Sequence, residues 1–127
     1  MPFVRVSLPQ QLTDAQVRHV SDSIHHSMVS TFNVPQDDRF QVLSRLKPDE
    51  IVCSPSYLGI EHTERVVFIQ ITCNEGRTLE MKKALFAALA RSISEGGAIL
   101  ASDVIVSLIE VKKENWSFGN GIAQYAG

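Results

Sequence analysis

Pro2 follows Met1 and opens the run Phe3-Val4-Arg5-Val6-Ser7-Leu8. A small second residue lets an initiator methionine be trimmed. Trimming here would leave a secondary amine at the chain end, a group able to take up and return a proton near neutral pH. An ordinary strand start is the alternative use of the same proline. Arg77 stands just before an apolar, helix-like segment, where a guanidinium can grip a small carboxylate bidentately or simply be solvated in a loop. Trp116 and Phe118, with Gly119 and Gly121, follow the last apolar run. There Phe118 suits the wall of an apolar pocket, and Trp116 suits packing.

The other chemically capable residues carry less. Cys53 and Cys73 are the two cysteines and have no C-x-x-C spacing, which indicates neither a zinc site nor a disulfide framework. Two reduced, inert thiols are expected. His19 and His26 share a helix face with Asp22 and Ser23, and that face reads as polar and solvated rather than metal-binding. No metal site is expected.

These residues need elements to position them, and the chain supplies those twice. Adding 65 to a residue number carries Val4-Arg5-Val6-Ser7 onto Ile69-Gln70-Ile71-Thr72, Thr13 onto Thr78, and Asp38 onto Asp103. Val20, Ile24 and Met28 fall on Leu85, Leu89 and Ile93 by the same offset, and Phe40 and Leu43 fall on Ile105 and Leu108. Agreement of strand, cap and apolar positions at one offset reads as an internal repeat, with halves at about 2–46 and 66–111 and a C-terminal segment at 112–127.

Each half predicts strand, helix, strand. Thr13-Asp14-Ala15-Gln16 is a capping box, which Leu12 and Val17 can staple. Val17, Val20, Ile24, Met28 and Phe32 then form one buried stripe at helical spacing, ended by Asn33-Val34-Pro35. Val66 to Cys73 reads as a central strand buried on both faces. A second helix spans about Thr78 to Ser94 and stops at Gly96-Gly97, and Val104 to Val111 is the last long strand. The stretch from Lys47 to Glu64, with Pro48, Pro55 and Gly59 and no clear period, reads as a linker.

Right-handed crossovers make each unit parallel. The predicted fold class is α/β (α+β): two β-α-β units in a four-stranded mixed sheet with both helices on one face, within a single domain spanning 1–127. The other sheet face would then be apolar and open, so assembly with other subunits is expected.

Composition agrees with one globular core: 44% of the residues are hydrophobic and 20% charged. A net charge of −2 with scattered basic residues argues against nucleic acid as a partner. No apolar run approaches the roughly 18 residues of a membrane span, and the N-terminus has neither the charged nor the apolar region of a signal peptide. A cytoplasmic location without membrane attachment is expected.

Pro2 at a strand start, the duplicated β-α-β unit, Val34-Pro35 followed by Asp38-Arg39-Phe40-Gln41, and Trp116-Ser117-Phe118-Gly119 together resemble the tautomerase superfamily, over nearly the whole chain. The branch most similar is that of malonate semialdehyde decarboxylase. This resemblance implies a homotrimer that uses an amino-terminal proline without a metal or organic cofactor. It also implies that Asp38 orients water or influences Pro2, although Asp103 at the equivalent repeat position makes a turn-forming role equally natural. Arg77 aligns with the second of two loop arginines of the decarboxylase, whereas the first falls on Glu75. Phe40 stands where the decarboxylase has tyrosine, which removes a hydroxyl and favours less polar substrates.

The resulting expectation is an enzyme acting on a small 2-oxo or 3-oxo acid, with Pro2 as acid/base, Asp38 beside it, and Arg77, Phe40, Trp116 and Phe118 binding substrate. Keto-enol tautomerisation leads. Decarboxylation comes next, then hydration or dehalogenation of an unsaturated acid. A trimeric binding protein that keeps the fold without using its proline is the alternative from another class.

Overall fold

The computed structural model describes residues 1–126. Its long elements are β1 (Phe3–Pro9), α1 (Asp14–Phe32), β2 (Gln41–Leu46), the short strands β3 (Ser56–Tyr57) and β4 (Ile60–Glu61), β5 (Val67–Asn74), α2 (Leu79–Glu95) and β6 (Val104–Val111). The main sheet has the order β2-β1-β5-β6. Within each repeat the strands are parallel, β1 with β2 and β5 with β6, and the two repeats join through antiparallel pairing of β1 with β5.

Alternation decides which face is covered. Val4, Val6 and Leu8 of β1 and Val67, Ile69, Ile71 and Cys73 of β5 point into the core, while Arg5 and Gln70 lie exposed on the other side. Ile24, Met28 and Phe32 of α1 and Leu85, Leu89 and Ile93 of α2 fill that core, so both helices lie over one face. Each such side chain contributes about 1.5–3 kcal/mol by leaving water. The expectation that β5 is buried on both faces is therefore corrected for the chain by itself: Gln70 is exposed, and Phe68, Thr72 and Asn74 are only partly covered.

Local chemistry starts and stops the helices. Thr13 Oγ1 accepts from the Gln16 amide at 3.1 Å and Gln16 Oε1 accepts from the Thr13 amide at 2.9 Å, which is the predicted capping box. Asn33, in the left-handed region at φ 56°, ends α1 and returns its amide to Met28 O. Thr78 caps α2 as Thr13 caps α1, accepting from the Met81 amide at 3.2 Å. Between the repeats, the predicted linker holds a 3-10 turn at Pro48–Glu50 and the β3-β4 hairpin, whose two-residue strands are too short to leave a period in the sequence.

The expected solvated face of α1 is also corrected. Ser23 is buried, and His19 hydrogen-bonds Ser92 O on α2 at 2.9 Å, because α1 packs against α2 along that side; of the four residues, His26 alone is exposed and Asp22 is partly covered. A Cβ added at Gly96 would stand 2.4 Å from His19 Cδ2. Gly96→Ala should therefore lower stability by about 1–3 kcal/mol through overpacking. In a His19→Ala background the sign should reverse, to a gain of about 0.4–1 kcal/mol, since φ at Gly96 is −70° and suits alanine. Urea denaturation of the four chains checks both signs.

Candidate active site

The topology gathers the candidate residues at one edge of the sheet. Because β1 runs antiparallel to β5 with Phe3 opposite Thr72, the chain start lies beside the end of β5. Parallel pairing of β6 with β5, with Asn74 opposite Val111, brings the segment after β6 to the same edge. Parallel pairing of β2 with β1, with Val4 opposite Gln41, brings Asp38 to Phe40 there as well. Three strand pairings thus place Met1-Pro2, Asp38-Phe40, Arg77 and Lys113-Phe118 around one end of the sheet.

An open cleft of about 600 Å³ occupies part of that edge, and its walls include Met1, Phe3, Phe40, Val42, Trp116 and Phe118. Arg39 is the charged side chain on its rim. Phe118 stacks on Trp116 with ring centroids 5.5 Å apart and meets Tyr125 edge-on at 5.0 Å. Trp116 Nε1 donates to Asn74 Oδ1 at 2.7 Å, which ties the segment after β6 to the end of β5. Trp116 therefore both packs and lines the cleft. Phe40 is 45% exposed, and its carbonyl accepts from the Val4 amide at 3.0 Å, fixing it alongside the chain start.

Pro2, Asp38 and Arg77 are not among the cleft walls. Pro2 is buried directly behind Met1. The chain-end amine, carried by Met1, is held below its ordinary value of 8.0: burial is the main cause, the Arg77 cation the next, and the Asp38 carboxylate opposes them. The charges of Asp38 and Arg77 thus bear on the amine from behind the cleft. Lys113 adds to the cationic side, a contribution the sequence reading missed. Its signal was positional: it follows β6 as Arg77 follows β5, and parallel strands deliver both to one edge.

Arg77 is more constrained than a loop arginine. Its Nη1 donates to Asn74 O at 3.1 Å, its Nη2 donates to Phe32 O at 3.2 Å, and the guanidinium stacks over the Phe32 ring at 4.8 Å. It thereby satisfies a carbonyl at the C-terminal end of α1 and places a cation there, where the helix dipole favours one. Two of its five N–H groups are spent in this way, leaving the rest for a ligand. Burial pushes the Cys73 thiol up, against the opposing pull of Arg77. Glu75 is exposed, its amide bonded to Val111 O at 2.9 Å.

Asp38 is half-buried and sits on a turn closed by its own amide donating to Pro35 O at 2.9 Å. Its repeat counterpart Asp103 behaves differently: it is fully buried, and its carboxylate accepts from the Thr63 amide at 2.8 Å and from the Thr63 hydroxyl. The equivalence at the 65-residue offset is positional and does not extend to environment. Among the described residues, no group of three or more His, Cys, Asp or Glu side chains is arranged to hold a metal ion, and no helix is long and apolar enough to cross a membrane. Cys53 lies apart, 3.6 Å from His62 Nδ1, in a smaller cavity beyond the opposite end of β1.

Two joined β-α-β units with the chain start at the edge of an aromatic cleft have the form of the tautomerase class. The chain belongs to the tautomerase family: two family models described as "Tautomerase enzyme" match residues 2–60 and 38–119. It is 38% identical over 124 residues to probable tautomerase YusQ of Bacillus subtilis strain 168, covering 98% of each chain. A malonate semialdehyde decarboxylase solved with 3-bromopropiolate as inhibitor is 34% identical and superposes with a TM-score of 0.91, covering 98% of this chain and 94% of that one. Fused 4-OT, solved as a symmetric trimer, shares the fold at 22% identity and a TM-score of 0.79, covering 98% of each chain.

The two charges beside the amine should move it in opposite directions. Arg77→Gln should raise the amine's titration point, and Asp38→Asn should lower it further, both measurable from the pH dependence of amine acylation. The shift is also linked to folding. As pH falls from 8.0 toward the folded value, the unfolded chain binds the proton more tightly, so stability should decline across that window and be recovered above it.

Proposed function

We propose that the protein catalyses keto-enol tautomerisation of a small 2-oxo or 3-oxo acid, with the Pro2 nitrogen as acid/base once Met1 has been removed. The observation that carries this reading is the placing of the chain start at an aromatic cleft, where burial and the Arg77 and Lys113 cations lower the amine now carried by Met1 and the Asp38 carboxylate opposes them. Met1 forms a wall of the cleft directly in front of Pro2, so its removal would open the Pro2 nitrogen to the cleft. A neutral secondary amine at that position removes a proton from the carbon beside the substrate carbonyl; the electron pair moves to the carbonyl oxygen, and the proton returns to carbon or oxygen to complete the shift. Arg77 holds the carboxylate with the N–H groups it does not spend on carbonyls, and Asp38 steadies the transient ammonium. Phe40, Trp116 and Phe118 take the apolar part of the substrate.

Decarboxylation is the second reading, favoured by the similarity to malonate semialdehyde decarboxylase. It requires Pro2 protonated, polarising a 3-oxo group while the carbon–carbon bond to the carboxylate breaks: CO2 leaves, the electron pair moves to the oxo oxygen to give the enol, and a proton then returns to carbon. Glu75, on which the resemblance places the first of the decarboxylase's two loop arginines, weakens this reading.

Assembly as a homotrimer belongs to the same proposal. Val42, Leu43 and Ile109 remain 38–43% exposed on the edge strands, and Val52, Tyr57, Leu58 and Ile60 are exposed around the hairpin. Open apolar area on this scale is unusual for a lone chain. Sedimentation equilibrium should give three times the chain mass, and Leu58→Asp with Ile60→Asp should shift it toward monomer.

Kinetics test the chemistry. Enolisable 2-oxo and 3-oxo acids, followed by ultraviolet absorbance and product analysis, should include a substrate for which Pro2→Ala lowers kcat/KM by about 100-fold or more. Arg77→Lys keeps the charge but loses the fork, and should act mainly by raising KM. Undiminished activity in Pro2→Ala would defeat both readings. CO2 release as the main product would replace the first with the second.

A further inference from the structure

We propose that His25, with Ser21 and Asp22, forms a clamp on α1 that positions the 36–41 segment and thereby sets Asp38 against the amine. This rests on the reading of Asp38 as the acid beside the reacting nitrogen. His25 is 97% buried, and its Nε2 stands 2.7 Å from Gln36 O. A carbonyl only accepts, so Nε2 carries the hydrogen. Nδ1 of the same ring is the one buried side-chain nitrogen or oxygen among the described residues that lacks a partner. An apolar side chain in that place would avoid the unpaired nitrogen. What the imidazole adds to the fold therefore comes through the bond to Gln36.

The rest of the segment is gripped from the same side of the helix. Arg39 Nη2 donates to Ser21 Oγ at 2.7 Å and to Asp22 Oδ1 at 2.6 Å. Gln41 Nε2 donates to Ser21 O at 3.1 Å, and the Ser21 hydroxyl donates to Gln41 Oε1. Phe40 is held from the other side by the Val4 amide. Asp38 lies between the Gln36 and Arg39 anchors, its amide bonded to Pro35 O, and its carboxylate makes no hydrogen bond among the described residues. The backbone is fixed and the carboxylate is left free, as an electrostatic partner of a reacting group needs.

The clamp is tested in the full chain with His25→Phe, His25→Gln and, in case the larger ring fails to fold, Ser21→Ala. Hydrogen exchange reads the positioning without reference to activity. In His25→Phe or Ser21→Ala the Asp38 amide should exchange about tenfold faster or more, while core amides of β1 and α2 keep their rates. His25→Gln, which retains a donor, should restore protection. In kinetics, kcat should fall about ten- to a hundredfold with KM nearly unchanged, the scale expected when a reacting constellation is displaced. Adding Asp38→Asn should then cost nothing further, because His25 acts through Asp38. Unchanged exchange at Asp38, or losses that multiply in the double variant, would overturn the clamp. Retention of activity by Pro2→Ala would instead refute the reading of the amine, and the exchange result would still decide whether His25 holds the turn.

Discussion

The antiparallel pairing of β1 with β5 joins the two repeats and decides which chain ends meet. Each repeat by itself makes a parallel strand pair with a helix across it, and a parallel pair sends both of its chain starts to one end. Joining two such pairs back to back reverses one of them, so the start of β1 meets the ends of β5 and β6. The register then fixes which residues meet: Phe3 opposite Thr72 and Asn74 opposite Val111 bring Met1-Pro2, Arg77 and Lys113 to one edge. A slip of one residue would turn Val4, Val6 and Leu8 out of the core, so the same apolar burial that stabilises the sheet also specifies the site.

Arg77 shows how closely fold and chemistry are joined at that edge. It serves as a carbonyl donor and as a cation at the C-terminus of α1, it stacks on Phe32, and its charge favours the neutral amine. A guanidinium can do all of this because its donors are fixed in a plane and its charge does not titrate near neutrality. The arrangement also links the two repeats, since Arg77 follows β5 of the second while Phe32 ends α1 of the first. The clamp from α1 to the 36–41 segment is the complementary device: it fixes the opposite charge from within the first repeat.

Much of the fold was legible in the sequence because its signals are local. Thr13 and Thr78 announce helix starts through side chains that reach only three residues, and the 65-residue offset aligned Val20, Ile24 and Met28 with Leu85, Leu89 and Ile93, all of which are buried. The β3-β4 hairpin was not legible, since strands of two residues have no period to read. His19 and Ser23 were misassigned to solvent because a helix that packs against both a sheet and a second helix buries more than one stripe. At the site, Phe40, Trp116 and Phe118 line one cleft, having been singled out from the family resemblance and, for the last two, from their place after the last strand. The binding of Arg77 to Phe32 O, the tie from Trp116 to Asn74 and the contribution of Lys113 are contacts between residues far apart in the chain, and no local pattern encodes them.

The proposed chemistry depends on which nitrogen stands at the end of the chain. With Met1 attached, the Pro2 nitrogen is an amide and has no proton chemistry near neutral pH; without Met1 it is a secondary amine beside the cleft wall that Met1 now forms. Intact mass spectrometry of the purified protein decides this directly. A mass lighter than the full sequence by one methionine residue is the predicted result. A mass that retains methionine in the active preparation would rule out Pro2 as acid/base, because an amide nitrogen could not then be the group that moves the proton.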